Sequence, residues 1–104
     1  MLYKPYGKTG RDVSMLGFGA MRLPMLEDGT CDFEKAVPML KRGIDFGINY
    51  IDTARGYIKG TSEVAVGKAI KGYDREKLFV VTKIPSNEKE KSEAKAWREQ
   101  LDEQ

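Results

Sequence analysis

Three short apolar runs, separated by stretches patterned as helices, constrain the fold of this 104-residue chain more than any other feature. The runs are LGFGAM, INYI and KLFVVTK, and the third is apolar through most of its length, as expected of a strand covered on both faces. Strands that alternate with helices predict βαβ units and a parallel sheet. Ahead of them, LYKPYGKTGRDVSML predicts two short strands around a GKTG turn. The predicted fold is therefore α/β, an N-terminal β-hairpin followed by about three βα units.

The first predicted helix is FEKAVPMLKRGIDF. Asp32 is its predicted N-cap, and Gly47 is its stop signal. Its apolar face is predicted from spacings of three and four residues at Val37, Leu40 and Ile44. Pro38 lies inside the segment, where a proline costs about 3 kcal/mol relative to alanine, so we expect a kink there.

Two further helices follow the second and third strands. Ser62 is the predicted N-cap of EVAVGKAIK, in which Val66 and Ile70 lie one turn apart, and Gly72 ends that helix. The last segment, NEKEKSEAKAWREQLDEQ, predicts a charged helix. Its buried stripe is predicted to be Ala94, Trp97 and Leu101.

Composition excludes several classes of protein. A net charge of +2, the difference between 18 basic and 16 acidic residues, gives no case for nucleic acid or an anionic membrane as partner. No apolar run approaches the roughly 20 residues of a membrane-spanning helix, and the N-terminus lacks a signal-peptide core. Cys31 is the only cysteine, which fits a reducing cytosol, and the absence of histidine excludes a Cys/His zinc site. We expect a cytoplasmic protein without a metal site.

Three polar side chains fall at or near the carboxyl ends of the second and third predicted strands. Asp52 follows INYI, Lys83 ends KLFVVTK, and Tyr57 lies in the loop between. Catalytic side chains of parallel α/β proteins gather at these ends, and neighbouring strands would bring Asp52 and Lys83 within several ångströms. A lysine ammonium beside a phenol stabilises phenolate, and an aspartate holds the lysine charged. Such a phenol could give a proton to a developing alkoxide.

Each of these residues also has an ordinary structural interpretation. Asp52 could cap a turn, Tyr57 could pack in a loop, and Lys83 could simply be solvated, as most polar residues at strand ends are. On spacing alone, the catalytic and the structural interpretations both remain open.

A resemblance to a known family distinguishes between them. The stretches that carry it are GKTGRDVSMLGFGAMRLP, GINYIDTARGYIKGTSEVAVGKAIK and REKLFVVTK, of which the middle one is quite specific. Over essentially all of its 104 residues the chain resembles the N-terminal part of the aldo-keto reductases. The resemblance implies a (β/α)₈ TIM barrel closed at its bottom by the hairpin, NADPH bound without a Rossmann domain, and reduction of small-molecule carbonyl substrates by hydride transfer.

The resemblance also implies roles for individual residues. Asp52, Tyr57 and Lys83 look like three members of the family's catalytic tetrad. Tyr57 would be the proton donor, Lys83 would make it a stronger acid, and Asp52 would anchor Lys83. The fourth member is a histidine at the end of the next strand, which this sequence does not include.

The nicotinamide end of NADPH is expected near the end of the first strand. By the resemblance, the family's backbone approaches the nicotinamide at the positions of Gly19, Ala20 and Met21. Asp52 is also expected to contact the cofactor. Most of the cofactor site would lie beyond residue 104.

The chain stops within a predicted helix at Gln104, and a complete (β/α)₈ barrel needs about 250 residues. We therefore expect residues 1–104 to be an incomplete single domain, the N-terminal part of a reductase, and inactive by itself. The alternative is a non-catalytic interaction or regulatory module, since some proteins of this type are channel subunits and a partial barrel leaves an open sheet edge.

Overall fold

The computed structural model describes residues 1–84 and has the predicted order of strands and helices. Its elements are β1 Tyr3–Pro5, β2 Asp12–Ser14, β3 Phe18–Gly19, α1 Phe33–Asp45, β4 Tyr50–Asp52, α2 Ser62–Ile70 and β5 Phe79–Val81. Short 3₁₀ turns lie over Tyr57–Gly60 and Arg75–Lys77. The predicted third helix, with its stripe of Ala94, Trp97 and Leu101, lies outside the described residues.

The strands form the two predicted sheets. β1 pairs with β2 as an antiparallel hairpin, and β3, β4 and β5 form a parallel sheet in that order. Asp52 stands opposite Gly19 on one side and Val81 on the other. β4 ends at Asp52, one residue later than the run INYI, whereas β5 ends at Val81, so Lys83 lies two residues past its strand rather than at the strand's last position.

One face of the parallel sheet carries the apolar core. Phe18, Ile51 and Val80 stand side by side in the ladder, and all three belong to or pack against the core formed with α1 and α2. Leu40 of α1 is fully buried there, as predicted. Much of the remaining core consists of small side chains that apolar periodicity alone does not single out: Ala20, Cys31, Ala36, Ala65 and Ala69.

The hairpin lies at the amino ends of the parallel strands. Tyr6 stacks on Tyr50 and on Phe79, with ring centroids 6.2 and 5.3 Å apart. Asn49, just before β4, accepts a hydrogen bond from the Ser14 backbone N–H at 2.8 Å and donates to the Asp12 carbonyl at 3.0 Å. These contacts hold the hairpin against the end of the sheet opposite Lys83.

The helix starts confirm one prediction and correct another. Asp32 is the N-cap of α1, although its carbonyl rather than its side chain accepts from the first turn. The helix continues through Pro38 to Asp45. The prediction that Ser62 caps α2 is wrong, because Thr61 is the N-cap and Ser62 is the first helical residue. The Ser62 hydroxyl is instead buried and bonded to groups at the strand ends.

Candidate active site

Lys83 brings the predicted polar residues together. Its ammonium donates hydrogen bonds to the Asp52 carboxylate, to the Tyr57 hydroxyl at 3.0 Å and to the Thr53 carbonyl at 3.1 Å. Because a lysine ammonium has three N–H donors and no acceptor, these three partners can share its donors one each. The Lys83 and Asp52 side chains remain 48% and 42% exposed, so the group lies open to solvent.

Backbone bonds that continue past the strand ends fix this arrangement. The Thr53 N–H donates to the Val81 carbonyl at 2.8 Å, and the Arg55 N–H donates to the Lys83 carbonyl at 3.2 Å. Period-two alternation then puts Lys83 on the same face of the sheet as Val81, the ladder partner of Asp52. The pairing of β4 with β5 therefore sets the distance between carboxylate and ammonium.

Tyr57 is carried by an unusual turn. The next two residues, Ile58 and Lys59, both have φ of 53°, a left-handed conformation that is uncommon for any residue except glycine and an outlier for β-branched isoleucine. The Ile58 side chain is buried in the core, and the Lys59 ammonium donates to the Asp28 carbonyl at 2.6 Å. The sequence has no local signal for this pair, since no glycine stands at either position. Burial and the bond to Asp28 hold the turn that presents the Tyr57 hydroxyl to Lys83.

Electrostatics keeps Lys83 charged. The hydrogen bond to Asp52, and after it the bond to Tyr57, raises the pKa of Lys83 above its ordinary value. Lys83 is therefore an ammonium at neutral pH, with the Asp52 side chain and the Tyr57 hydroxyl as hydrogen-bond partners. Since Lys83 can only donate, the Tyr57 oxygen accepts, and the phenol keeps its own proton for another partner.

The predicted cofactor residues lie at the end of β3 beside Asp52. A Cβ added to Gly19 would meet nothing within 4 Å, and Met21 is 54% exposed, so both border open space. Ala20 differs from them, because it is buried and both its backbone N–H and its carbonyl are already hydrogen-bonded within the protein. Its N–H donates to the Asp52 carbonyl at 2.8 Å, and its carbonyl accepts from the Ser62 hydroxyl at 2.7 Å.

Sequence reasoning missed the two hydroxyl residues behind the site. Thr53 and Ser62 are 2% and 0% exposed, and their hydroxyl oxygens lie 2.7 Å apart. The alternation of β4 could have indicated Thr53, since residues two apart share a face and Ile51 belongs to the core. No such signal existed for Ser62, because a serine before a helical segment ordinarily predicts a cap.

Two kinds of feature do not occur in residues 1–84. No group of three or more acidic, cysteine or histidine side chains lies close enough to hold a metal ion in this part of the chain. None of its helices is long and apolar enough to cross a membrane.

The sequence comparisons point to a single family. The family model described as "Aldo/keto reductase family" matches residues 15–104. A probable aldo-keto reductase of Glycine max is 36% identical over 78 residues, which cover 75% of this chain and 22% of that protein. A probable voltage-gated potassium channel subunit beta of Arabidopsis thaliana is 36% identical over 86 residues, covering 81% and 25%. This chain thus spans about a quarter of the length of the relatives it matches.

Solved structures agree with the sequence matches. The holo form of an aldo-keto reductase from Bacillus halodurans superposes with a TM-score of 0.68 at 38% identity, over 81% of this chain and 26% of that one. An aldo/keto reductase from Klebsiella pneumoniae in complex with NADP and acetate gives a TM-score of 0.60 at 33% identity, over 70% and 24%. The predicted fold class, part of a (β/α)₈ barrel preceded by an N-terminal hairpin, is confirmed.

Proposed function

Because this chain belongs to the aldo/keto reductase family, we propose that it is the N-terminal part of an NADPH-dependent enzyme that reduces aldehydes and ketones by hydride transfer, with Tyr57 as proton donor. Residues 1–104 would then be the first portion of one barrel domain. The observation that carries the proposal is the position of the Lys83 ammonium, bonded at once to the Asp52 carboxylate and the Tyr57 hydroxyl.

Each residue of this group has a chemical role. Tyr57 donates its proton to the carbonyl oxygen as that oxygen becomes an alkoxide. Lys83 stabilises the phenolate that is left behind. Its positive charge is already in place where negative charge develops on the Tyr57 oxygen, so no groups need to reorient during the reaction. Asp52 keeps Lys83 charged and in place. The exposed rim of the group leaves room for a small carbonyl compound.

The residues at the end of β3 fit the nicotinamide end of the cofactor. A flat ring can approach Gly19 because no atom occupies the space where a side chain would stand. Gly19 and Met21 would contact the ring, with Ala20 fixed behind them and Asp52 alongside. When bound, the reduced nicotinamide supplies the hydride.

The 104 residues by themselves are proposed to bind NADPH poorly and to reduce no aldehyde. The support is their extent, about a quarter of the length of the relatives, with three of the four tetrad positions that the family resemblance implies. Measurable turnover by the 104-residue chain would contradict this part of the proposal.

A chimera tests the catalytic roles. Residues 1–104 would replace the matching segment of the Bacillus halodurans reductase, and NADPH-dependent reduction of a panel of aldehydes would be measured. We expect Tyr57→Phe to lower kcat at least about 100-fold, the usual contribution of a general acid, with little change in the Kd for NADPH. The control is Tyr73→Phe, because Tyr73 bonds to Asp45 at the end of α1 rather than to Lys83. Near-normal turnover by Tyr57→Phe would mean that the proton comes from elsewhere.

The alternative, a non-catalytic interaction module, has two observations in its favour. One relative is named as a potassium channel β subunit and matches as well as the relative named as a reductase. In addition, β5 pairs with β4 alone among the strands of residues 1–84. Sizing of the purified chain tests this alternative, because a stable dimer favours the module. A monomer, together with an active chimera, favours the enzyme.

A further inference from the structure

Thr53 and Ser62 form a buried chain of hydroxyl groups behind the candidate active site. The Thr53 and Ser62 oxygens lie 2.7 Å apart, and the Ser62 oxygen lies 2.7 Å from the Ala20 carbonyl oxygen. Both side chains are almost entirely inaccessible. Their hydrogen bonds must therefore be satisfied inside the protein, since an unpaired buried hydroxyl or carbonyl is costly.

The direction of the hydrogen bonds follows from the last acceptor. A carbonyl oxygen cannot donate, so the single Ser62 hydroxyl proton goes to Ala20. The Ser62 oxygen can then only accept from Thr53, and Thr53 must donate to it. The chain thus runs one way, from Thr53 through Ser62 to Ala20.

Thr53 is consequently held by its side chain as well as by both of its backbone groups. Its N–H donates to Val81 at 2.8 Å, and its carbonyl accepts from the Lys83 ammonium at 3.1 Å. The hydroxyl chain ties the same residue to the first residue of α2 and to the end of β3. The hydrogen bonds of Thr53 thus link the end of β4, which it follows, to β5 and to α2, and through Ser62 to the end of β3.

We infer that Thr53 and Ser62 are positioning residues of the site, and that their hydroxyl chain fixes the Thr53 carbonyl as the third acceptor of Lys83. Acting through that carbonyl, the chain sets where the ammonium stands relative to Tyr57. The catalytic significance of this inference rests on the function proposed above. The positioning itself needs neither cofactor nor turnover and is measured separately.

Competitive chemical labelling of lysines in the 104-residue chain tests the inference. Only the uncharged amine reacts, so the labelling rate at about pH 9 reports how strongly the ammonium form is stabilised. In Thr53→Val, which keeps the shape but not the hydroxyl, we expect Lys83 to label about threefold faster, equivalent to a fall of about half a pH unit in its pKa. Ser62→Ala should act in the same direction, and Thr53→Ser should restore the original rate.

Two controls distinguish a change in the position of Lys83 from a general loosening of the fold. Thr82→Val removes a neighbouring hydroxyl that bonds to Glu63 instead, and it should leave the labelling of Lys83 unchanged. Lys68 lies on α2 with its ammonium 5.0 Å from the Phe33 ring centroid, so its labelling reports whether that helix has loosened.

The outcomes are distinct. Faster labelling of Lys83 alone supports the inference. An unchanged rate in a folded Thr53→Val protein, or an equal rise at Lys83 and Lys68, overturns it, because the hydroxyls would then serve packing only. If Ser62→Ala does not fold, Thr53→Val decides the matter, since valine fills the volume of threonine. Failure of Tyr57→Phe to slow the chimera would count against the proposed function without affecting this result.

Discussion

The Lys83 ammonium donates a hydrogen bond to the hydroxyl oxygen of Tyr57 across 3.0 Å, although Tyr57 precedes helix α2 in the sequence and Lys83 follows it. The direction of this bond matters as much as its length. Since the phenol accepts from Lys83, its own proton is not used within the pair. The Tyr57 hydroxyl hydrogen is thus available to a partner other than Lys83.

Removing the charge of Asp52 should weaken the hold on Lys83. In Asp52→Asn a neutral amide replaces the carboxylate whose hydrogen bond is the first cause of the raised Lys83 pKa, and we expect that pKa to fall toward its ordinary value. Chemical labelling of Lys83 in the 104-residue chain measures the change. Asp45→Asn is the matched control, because Asp45 accepts from Tyr73 and not from Lys83. No difference between the two variants would show that Asp52 does not stabilise the ammonium.

Stability should depend on the charge of Lys83 at high pH. Its pKa is raised above 10.5 in the folded chain, so its contribution is full below the unfolded value and disappears as the pH rises through the folded value. We expect Lys83→Met to be less stable than the parent by a constant amount between about pH 7 and 9. The gap should narrow above about pH 10.5. Urea unfolding across this range measures it, and a gap that widens with pH would contradict the assignment.

Replacing each of two helical glycines by alanine should change the free energy of unfolding in opposite directions. A Cβ at Gly67 of α2 would meet nothing within 4 Å, so Gly67→Ala should raise the free energy of unfolding by about 0.5–1 kcal/mol. A Cβ at Gly43 of α1 would lie 2.9 Å from the Phe18 ring, and Gly43→Ala should lower that free energy by about 1–3 kcal/mol. Urea denaturation at neutral pH compares them. A stabilising Gly43→Ala would mean that α1 and β3 are less close than described.

Asn49 should matter for the attachment of the hairpin. Asn49→Ala removes the acceptor for the N–H of buried Ser14, and an unpaired buried donor costs about 1–3 kcal/mol. Thermal unfolding should show the loss. Asn49→Asp keeps an oxygen for Ser14 and loses only the amide donor to the exposed Asp12 carbonyl, so it should lose less. Equal losses in the two variants would indicate that the bond to Ser14 is not the stabilising one.

Much of the site could be predicted because it depends on strand order. Once β4 and β5 are parallel neighbours, the carboxyl ends of both strands meet, and Asp52 and Lys83 meet with them. The apolar runs and the intervening helices contain that information. The hairpin could be predicted equally well, because the glycines of its GKTG turn are a local signal in the sequence.

What could not be predicted depends on tertiary contacts. The left-handed pair Ile58 and Lys59 is held by burial of one side chain in the core and by a bond from the other to Asp28, which is 31 residues away. Ser62 has the sequence context of a helix cap, but its hydroxyl is directed to the Ala20 carbonyl 42 residues away. In both cases long-range burial prevails over local preference.

The three acceptors of Lys83 named above, Asp52, Thr53 and Tyr57, precede α2, whereas Lys83 follows it, with sequence separations of 26 to 31 residues. Hydrogen bonds across such a distance form only after the intervening chain has folded back, because loop closure must come first. The hydrogen bonds of Lys83 therefore form only once β4, α2 and β5 have come together. During synthesis β3, β4 and α2 emerge before Lys83, so the ammonium is the last member of this hydrogen-bonded group to appear.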